Sequence, residues 1–170
     1  MTRRSAAERD AVADAMATLV RADGRISVFE YCLSRLVGDE LRESSSPTTR
    51  PGTGRRTLRD ARQSVLTLFG ILARVGHSDP EAARRAFAAG VAHTLPGTEA
   101  RFTVPAGGVL ELESVWPELD GLRPAEKSRL VAGAVVVISE DGLTTVPEVE
   151  LLRTICLILH SPLPPLPVPG

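Results

Sequence analysis

Two short stretches of this sequence carry carboxylates at a spacing that could bind a divalent cation. Residues 23–30 read D-G-R-I-S-V-F-E and residues 141–148 read D-G-L-T-T-V-P-E, so both follow D-G-x-x-[ST]-V-x-E at an offset of 118 residues. An acidic residue before Gly, with Glu six residues after that Gly, is the spacing of the second half of an EF-hand calcium loop. The candidate metal ligands are therefore Asp23, Glu30, Asp141 and Glu148.

The same motif also has a purely structural interpretation. Gly accepts the left-handed backbone that ends a helix, and Ser27 or Thr145 can form a capping box with the Glu three residues later. A calcium loop needs further acidic ligands upstream, but those positions hold Leu19, Arg21, Val137 and Ser139. We therefore predict two capping boxes and no metal or cofactor in this chain, with the four acidic residues as the alternative.

Other reaction centres are not recognisable in the sequence. The histidines His77, His93 and His160 are scattered, and no H-E-x-x-H is present to bind a catalytic zinc ion. The G-x-S-x-G elbow, the P-loop and the G-x-G-x-x-G loop are also missing. These observations predict no catalytic residues, although a free-standing enzyme of unknown chemistry is a competing class.

The elements that would position these residues are predicted to be helices. The chain has 170 residues, 43% hydrophobic and only 4% aromatic, and its apolar residues recur at helical spacing. We predict a single all-α domain over residues 1–170. Its seven helices are expected to start near Ser5, Ser27, Thr57, Pro80, Leu112, Pro124 and Val146.

Three further sequence features predict a central helix, a mobile loop and an extended tail. The helix from Pro124 is apolar nearly all round, which predicts that it is the central one. Residues 43–56 contain no large apolar side chain and predict a mobile loop. Residues 161–170 contain five prolines and predict an extended tail, which either offers a P-x-x-P ligand or packs back on its own domain.

The net charge and the hydropathy of the chain limit the classes of partner and the cellular compartment that we expect. The formal net charge of −1 predicts no nucleic-acid partner. The longest apolar run, from Val131 to Ile138, is far shorter than the ~20 residues that span a bilayer, and no apolar stretch follows the Arg-rich start, so a cytoplasmic location is expected. Cys32 and Cys156 lie on apolar helical faces and are expected to be buried and reduced, with a disulfide between them as the alternative.

Arginines cluster where the predicted loop meets the third helix. The cluster consists of Arg50, Arg55, Arg56, Arg59 and Arg62. Such a cluster can approach anionic lipid head groups, but runs of charge are most often a solvated helix face. The solvated face is the favoured interpretation.

The two D-G motifs match without a gap and predict a duplicated helix-turn-helix hairpin. The match extends to Leu33 over Leu151 and Arg35 over Arg153. We expect the two hairpins to be related by approximate two-fold pseudosymmetry, so that residues 13–37 superpose on residues 131–155.

Four sequence blocks in this order resemble a known arrangement. They are A-D-G-R-I-S-V-F-E-Y at 22–31, A-F-A-A-G at 86–90, E-D-G-L-T-T-V-P-E-V-E-L-L-R at 140–153 and S-P-L-P-P-L at 161–166. The chain resembles the carboxy-terminal, TerB-like helical region of large bacterial membrane zinc metallopeptidases of the HtpX and CAAX-prenyl-protease family. The resemblance extends from about Ala11 to Leu166.

The resemblance implies an accessory domain. In that family the zinc-binding H-E-x-x-H and the membrane helices precede this region, so no catalytic residue is carried over to this chain. The implied partners are the peptidase and membrane domains of such a parent protein, or another protein, on the cytoplasmic side of the membrane, and zinc is expected only in the parent. Similarity to the TerB fold also implies the alternative of a stand-alone metal-binding or stress-response module, which would use Asp23, Glu30, Asp141 and Glu148.

Overall fold

The computed structural model describes residues 27–45, 54–142 and 144–165. The chain divides into two compact units, Met1–Thr49 and Arg50–Gly170. The described residues form six α-helices and no β-strand, with one isolated bridge between Arg56 and Leu122, which confirms the all-α prediction. The predicted helix from Ser5 lies outside the described residues, and so does part of the proposed superposition of residues 13–37.

Five of the six helices begin within one residue of their predicted starts, whereas the helix predicted from Thr57 begins at Arg62, because residues 58–61 form a turn first. A short 3₁₀ turn, Gly108–Glu111, precedes the fourth helix, which continues past Pro117 to its end. None of the described helices combines the length and the apolar character that crossing a membrane requires. The six helices are α1 Val28–Ser45, α2 Arg62–Gly76, α3 Pro80–Thr94, α4 Leu112–Asp120, α5 Pro124–Ile138 and α6 Val146–Ile158.

In the first unit, α1 is the described helix, and its apolar spacing predicts one buried face through Phe29, Cys32, Leu33, Leu36 and Val37. Cys32 of this face is buried, whereas Phe29 and Leu33 are 65% and 41% exposed. The predicted face is therefore only partly buried. The large ring of Tyr31, which the apolar pattern did not include, takes a buried position instead.

In the second unit, α2 is the central helix, so the prediction that the helix from Pro124 is central is wrong. Helix α2 packs against α3, α4, α5 and α6, whereas the main contacts of α5 are with α2, α3 and α6. Residues 68–73 of α2 are all buried, which means that every side of this turn and a half is covered. In α5 the side chains of Ala132, Val135 and Val136 stay partly exposed, although the helix is apolar nearly all round.

Helices α3 and α5 pack closely together, and glycines permit the approach. A methyl group on Gly90 would overlap the side chain of Val137, and one on Gly133 would overlap the hydroxyl of Thr94. Two glycines facing the partner helix let the backbones approach more closely than larger residues would allow. Phe69 of α2 lies near both glycines and fills the space beside this crossing.

The chain that leads into α2 is held by hydrogen bonds to the α4–α5 connection. The N–H of Arg56 donates to Gly121 O at 3.0 Å, and the N–H of Arg123 donates to Arg56 O at 3.0 Å. Thr57 and Asp60 then form a box, in which Thr57 N–H donates to Asp60 Oδ2 at 2.8 Å and Asp60 N–H donates to the Thr57 hydroxyl at 3.3 Å. In the predicted loop 43–56, residues 43–45 belong to α1, residues 54–56 carry this connection, and residues 46–53 lie outside the described part.

Other helix ends follow local sequence rules. Helix α3 begins at the predicted Pro80, and Asp79 caps it, because the Asp79 carboxylate accepts the N–H of Ala82 at 2.8 Å. Helix α6 ends in a Schellman motif, in which His160 has a φ of 50° and Ser161 N–H donates to Cys156 O at 2.9 Å. Residues 161–165 contain no helix or strand, as expected for the Pro-rich tail, and residues 166–170 lie outside the described part.

Candidate functional site

The second D-G motif forms the turn between α5 and α6. Gly142 has a φ of 73°, the left-handed conformation that the capping interpretation requires. Thr145 then caps α6: its N–H and its hydroxyl donate to Glu148 Oε2 at 2.6 and 2.7 Å, and the capping box is complete. The prediction of a capping box is confirmed at this position.

The first D-G motif starts α1 in the same way. Ser27 donates its N–H and hydroxyl to Glu30 Oε2 at 2.8 and 2.7 Å, and Glu30 N–H donates to the Ser27 hydroxyl at 3.2 Å. These hydrogen bonds, first from the hydroxyl and then from the backbone, lower the pKa of the Glu30 carboxyl. This box is also confirmed, while Asp23 lies outside the described residues.

The two glutamates differ in burial. Glu30 is exposed, whereas Glu148 is 1% exposed and lies against the C-terminal end of α2. A methyl group on Gly76 would overlap Glu148 Oε1, so the absence of a side chain at Gly76 makes room for the carboxylate. Glu148 Oε1 makes no hydrogen bond to any described residue, so only half of this buried carboxylate is satisfied.

His77, which the sequence did not single out, lies near Asp141, and Gly76, the residue before it, lies against Glu148. The His77 side chain is buried directly after Gly76, and its Nδ1 lies 3.1 Å from Ala73 O. Its Nε2 lies 3.8 Å from Asp141 Oδ2 and makes no hydrogen bond within the described part of the chain. We call His77, Asp141 and Glu148 the His77 cluster.

The hydrogen bond at Nδ1 fixes which nitrogen of His77 carries a proton. A carbonyl oxygen can only accept, so Nδ1 is the donor and Nε2 of the neutral ring carries a lone pair that points toward the Asp141 side.

Two of the four candidate metal ligands, Asp141 and Glu148, belong to the His77 cluster. Neutral imidazole with a backbone-bound second nitrogen, together with carboxylates, is a donor set that zinc accepts. However, the described residues contain no group of three or more His, Cys, Asp or Glu placed to hold a metal ion. Glu148 also commits one of its two oxygens to the cap. The contacts of His77 with Asp141 and of Gly76 with Glu148 join the end of α2 to the α5–α6 turn and the start of α6.

Both cysteines are buried, as predicted. Burial raises the pKa of the Cys156 thiol to about 11, so thiolate is scarce at neutral pH and this sulfur is a poor nucleophile. The remaining histidines do not join the His77 cluster by any described ion pair or hydrogen bond. His93 is exposed on α3, and His160 is exposed in the Schellman motif.

The signal that could have pointed to His77 is its position directly after a helix-ending glycine. Its partner Asp141 is distant in sequence, and no spacing rule connects the two residues. Comparison of the chain with protein-family models, with curated proteins and with solved structures gives no match.

Proposed function

We propose that this chain is a non-catalytic interaction domain that serves a membrane-bound zinc metallopeptidase on the cytoplasmic side. The peptidase partner is proposed from the resemblance of the four sequence blocks. The interaction role is supported by the structure of the second unit, where Glu148 of the motif is engaged in the cap with Thr145 and packs against Gly76.

The observation that carries the interaction role is the outer face of α6. Val146 is 74% exposed and Leu157 is 45% exposed, and eleven residues bring a helix back to nearly the same side after three turns. Between them Glu150 and Arg153 form an ion pair at 2.6 Å. A partner that covers this face would bury both apolar side chains, and the ion pair between them would supply a polar contact.

The tail continues this exposed apolar character beyond the helix. Leu163 lies in the Pro-rich segment and is exposed, and the segment 161–165 forms no helix or strand. Helix α6 and the tail could therefore contact one partner over an extended surface. This arrangement supports binding by the end of the chain and needs no reaction centre in the unit.

The first step of the test is the coding sequence upstream of this chain. The proposal expects an H-E-x-x-H and hydrophobic spans there or in an adjacent gene. A coding region without either would remove the peptidase partner from the proposal.

The second step measures binding of the separately produced chain to that peptidase in detergent. We expect Val146→Asp with Leu157→Asp to weaken binding at least tenfold. A matched control is Val104→Asp with Leu110→Asp, since these apolar residues are also exposed but lie outside α6. Equal binding by the two double variants would contradict the role of this face.

The stand-alone metal-binding or stress-response module is the second candidate function. The observation that favours it is the buried Nε2 of His77 beside Asp141. A metal-dependent rise in the melting temperature that His77→Gln abolishes would replace the first proposal with this one.

A further inference from the structure

Arginines from two separate parts of the chain form one exposed surface in the second unit. Arg55, Arg56, Arg59 and Arg62 lead into α2, and Arg123 joins them from the α4–α5 connection by donating its Nε–H to Arg55 O at 3.0 Å. All five side chains are exposed. We call these five residues the arginine surface. Arg50 of the predicted cluster lies outside the described residues, and Arg123 is a member that the sequence did not indicate.

The acidic residues nearby neutralise only part of this charge. Glu118 pairs with Arg56 at 2.8 Å, and Asp60 is engaged in its box with Thr57. Among the described residues, Arg56 is therefore the one member of the arginine surface that forms an ion pair. Glu126, which accepts the N–H of Leu58, lies 3.7 Å from a further cation, Arg129.

Two members of the arginine surface are available for an external partner. The side chains of Arg55 and Arg59 form no ion pair or hydrogen bond with any other described residue. The positive charge of the arginines also affects Asp60, which lies among them. Hydrogen bonds from Thr57 are the main cause of the lowered pKa of the Asp60 carboxyl, and the charges of Arg123 and Arg56 lower this pKa further.

We propose that the arginine surface binds the phosphate-bearing head groups of an anionic membrane. The five arginines are exposed in the segment that leads into α2 and in the α4–α5 connection, so they can contact a flat charged surface without a shaped recess. Guanidinium groups bind phosphate oxygens through paired N–H donors. Duplex DNA is the less favoured polyanion because Arg55, Arg56, Arg59 and Arg123 lie outside helices, so they are not carried by an element that enters a DNA groove. The proposal does not depend on the peptidase partner.

The test is flotation of the full chain with lipid vesicles at low salt. The vesicles contain phosphatidylcholine alone or with about one third phosphatidylglycerol. We expect binding to the anionic vesicles only, and loss of binding at high salt. Each arginine near such a surface contributes about fivefold to partitioning, so Arg55→Gln with Arg59→Gln and Arg123→Gln should weaken binding about a hundredfold.

The matched control removes three charges from arginines that already have partners. Arg84, Arg85 and Arg153 pair with Glu81, Glu140 and Glu150, and their joint change to Gln gives the same net charge. We expect this control to bind anionic vesicles much more tightly than the first triple variant. Arg55→Lys with Arg59→Lys should keep most of the binding, because the charge remains.

Three results would overturn the proposal. One is equal loss of binding in the two triple variants, which would reflect net charge alone. Another is binding to poly-glutamate or duplex DNA without binding to anionic vesicles. The third is full displacement from vesicles by millimolar inorganic phosphate, which would indicate a site for free phosphate. Because Arg55→Gln with Arg59→Gln changes no described side-chain contact, this double variant keeps the test valid if the triple variant misfolds.

Discussion

The two D-G motifs provide one local structure in two different surroundings. Ser27 with Glu30 and Thr145 with Glu148 close the same capping box, with hydrogen bonds of nearly the same length. Glu30 is exposed, whereas Glu148 is buried against Gly76 near the end of α2. The eight residues of the motif thus determine how the helix starts, while a helix distant in sequence determines how much each carboxylate contributes to stability.

The largest difference between the two D-G motifs is expected in the free energy of unfolding when the glutamate of each motif is replaced by alanine. Glu148→Ala should lower the free energy of unfolding by about 2 kcal/mol, because it removes the cap and leaves a gap in the packing. Glu30→Ala removes only an exposed cap and should cost clearly less. Urea unfolding of the two variants measures the difference, and equal losses would show that burial of Glu148 adds nothing.

A smaller effect is expected at Gly76, which has no described counterpart beside the first motif. Gly76→Ala should lower the free energy of unfolding by about 1 kcal/mol, because the new methyl group displaces the Glu148 carboxylate. In a Glu148→Ala background the same substitution should cost nothing or stabilise, since alanine is the better helix residue. A double-mutant cycle measures this coupling.

The control for the cycle is Gly121→Ala. A methyl group there meets its nearest atoms at 3.4 Å, which is ordinary contact. This substitution should not couple to Glu148→Ala. Coupling of similar size at Gly121 would mean that the cycle reports general destabilisation.

The smallest expected effect is that of calcium, for which we predict no change in melting temperature. Both glutamates direct Oε2 to their own caps, so neither is available as a bidentate ligand. A real site at a hundredfold excess of calcium over its dissociation constant would add about 2.7 kcal/mol, a shift of roughly 5 °C or more. Thermal unfolding at millimolar calcium measures the shift, and a rise that Glu30→Gln or Glu148→Gln abolishes would reverse the assignment.

The parts of the fold that the sequence predicted are those set by local chemistry. Asp79 before Pro80, Thr145 before α6 and Ser27 before α1 begin helices because each oxygen accepts an N–H within the next turn. The apolar faces of α2 to α6 could also be predicted from the spacing of the apolar residues. Amphipathic spacing requires only the helix period, which is independent of what the helix packs against.

The parts that the sequence did not predict depend on contacts between distant residues. The approach of His77 to Asp141 and the position of Arg123 among the arginines arise only when α2 meets the α4–α5 and α5–α6 turns. The central position of α2 follows from how the neighbouring helices are arranged around it. For the same reason, the apolar pattern of α1 did not indicate that Tyr31 would be buried while Phe29 is exposed.

Chemical labelling of Lys127 in α5 can measure local opening of the second unit. It is the sole lysine of the sequence, its side chain is 3% exposed, and its ammonium group lies 2.5 Å from Asp120 Oδ1. An amine-directed reagent can therefore acylate this side chain only when α5 separates from the end of α4. The rate of labelling at Lys127 then measures how often this part of the unit opens, without any engineered probe.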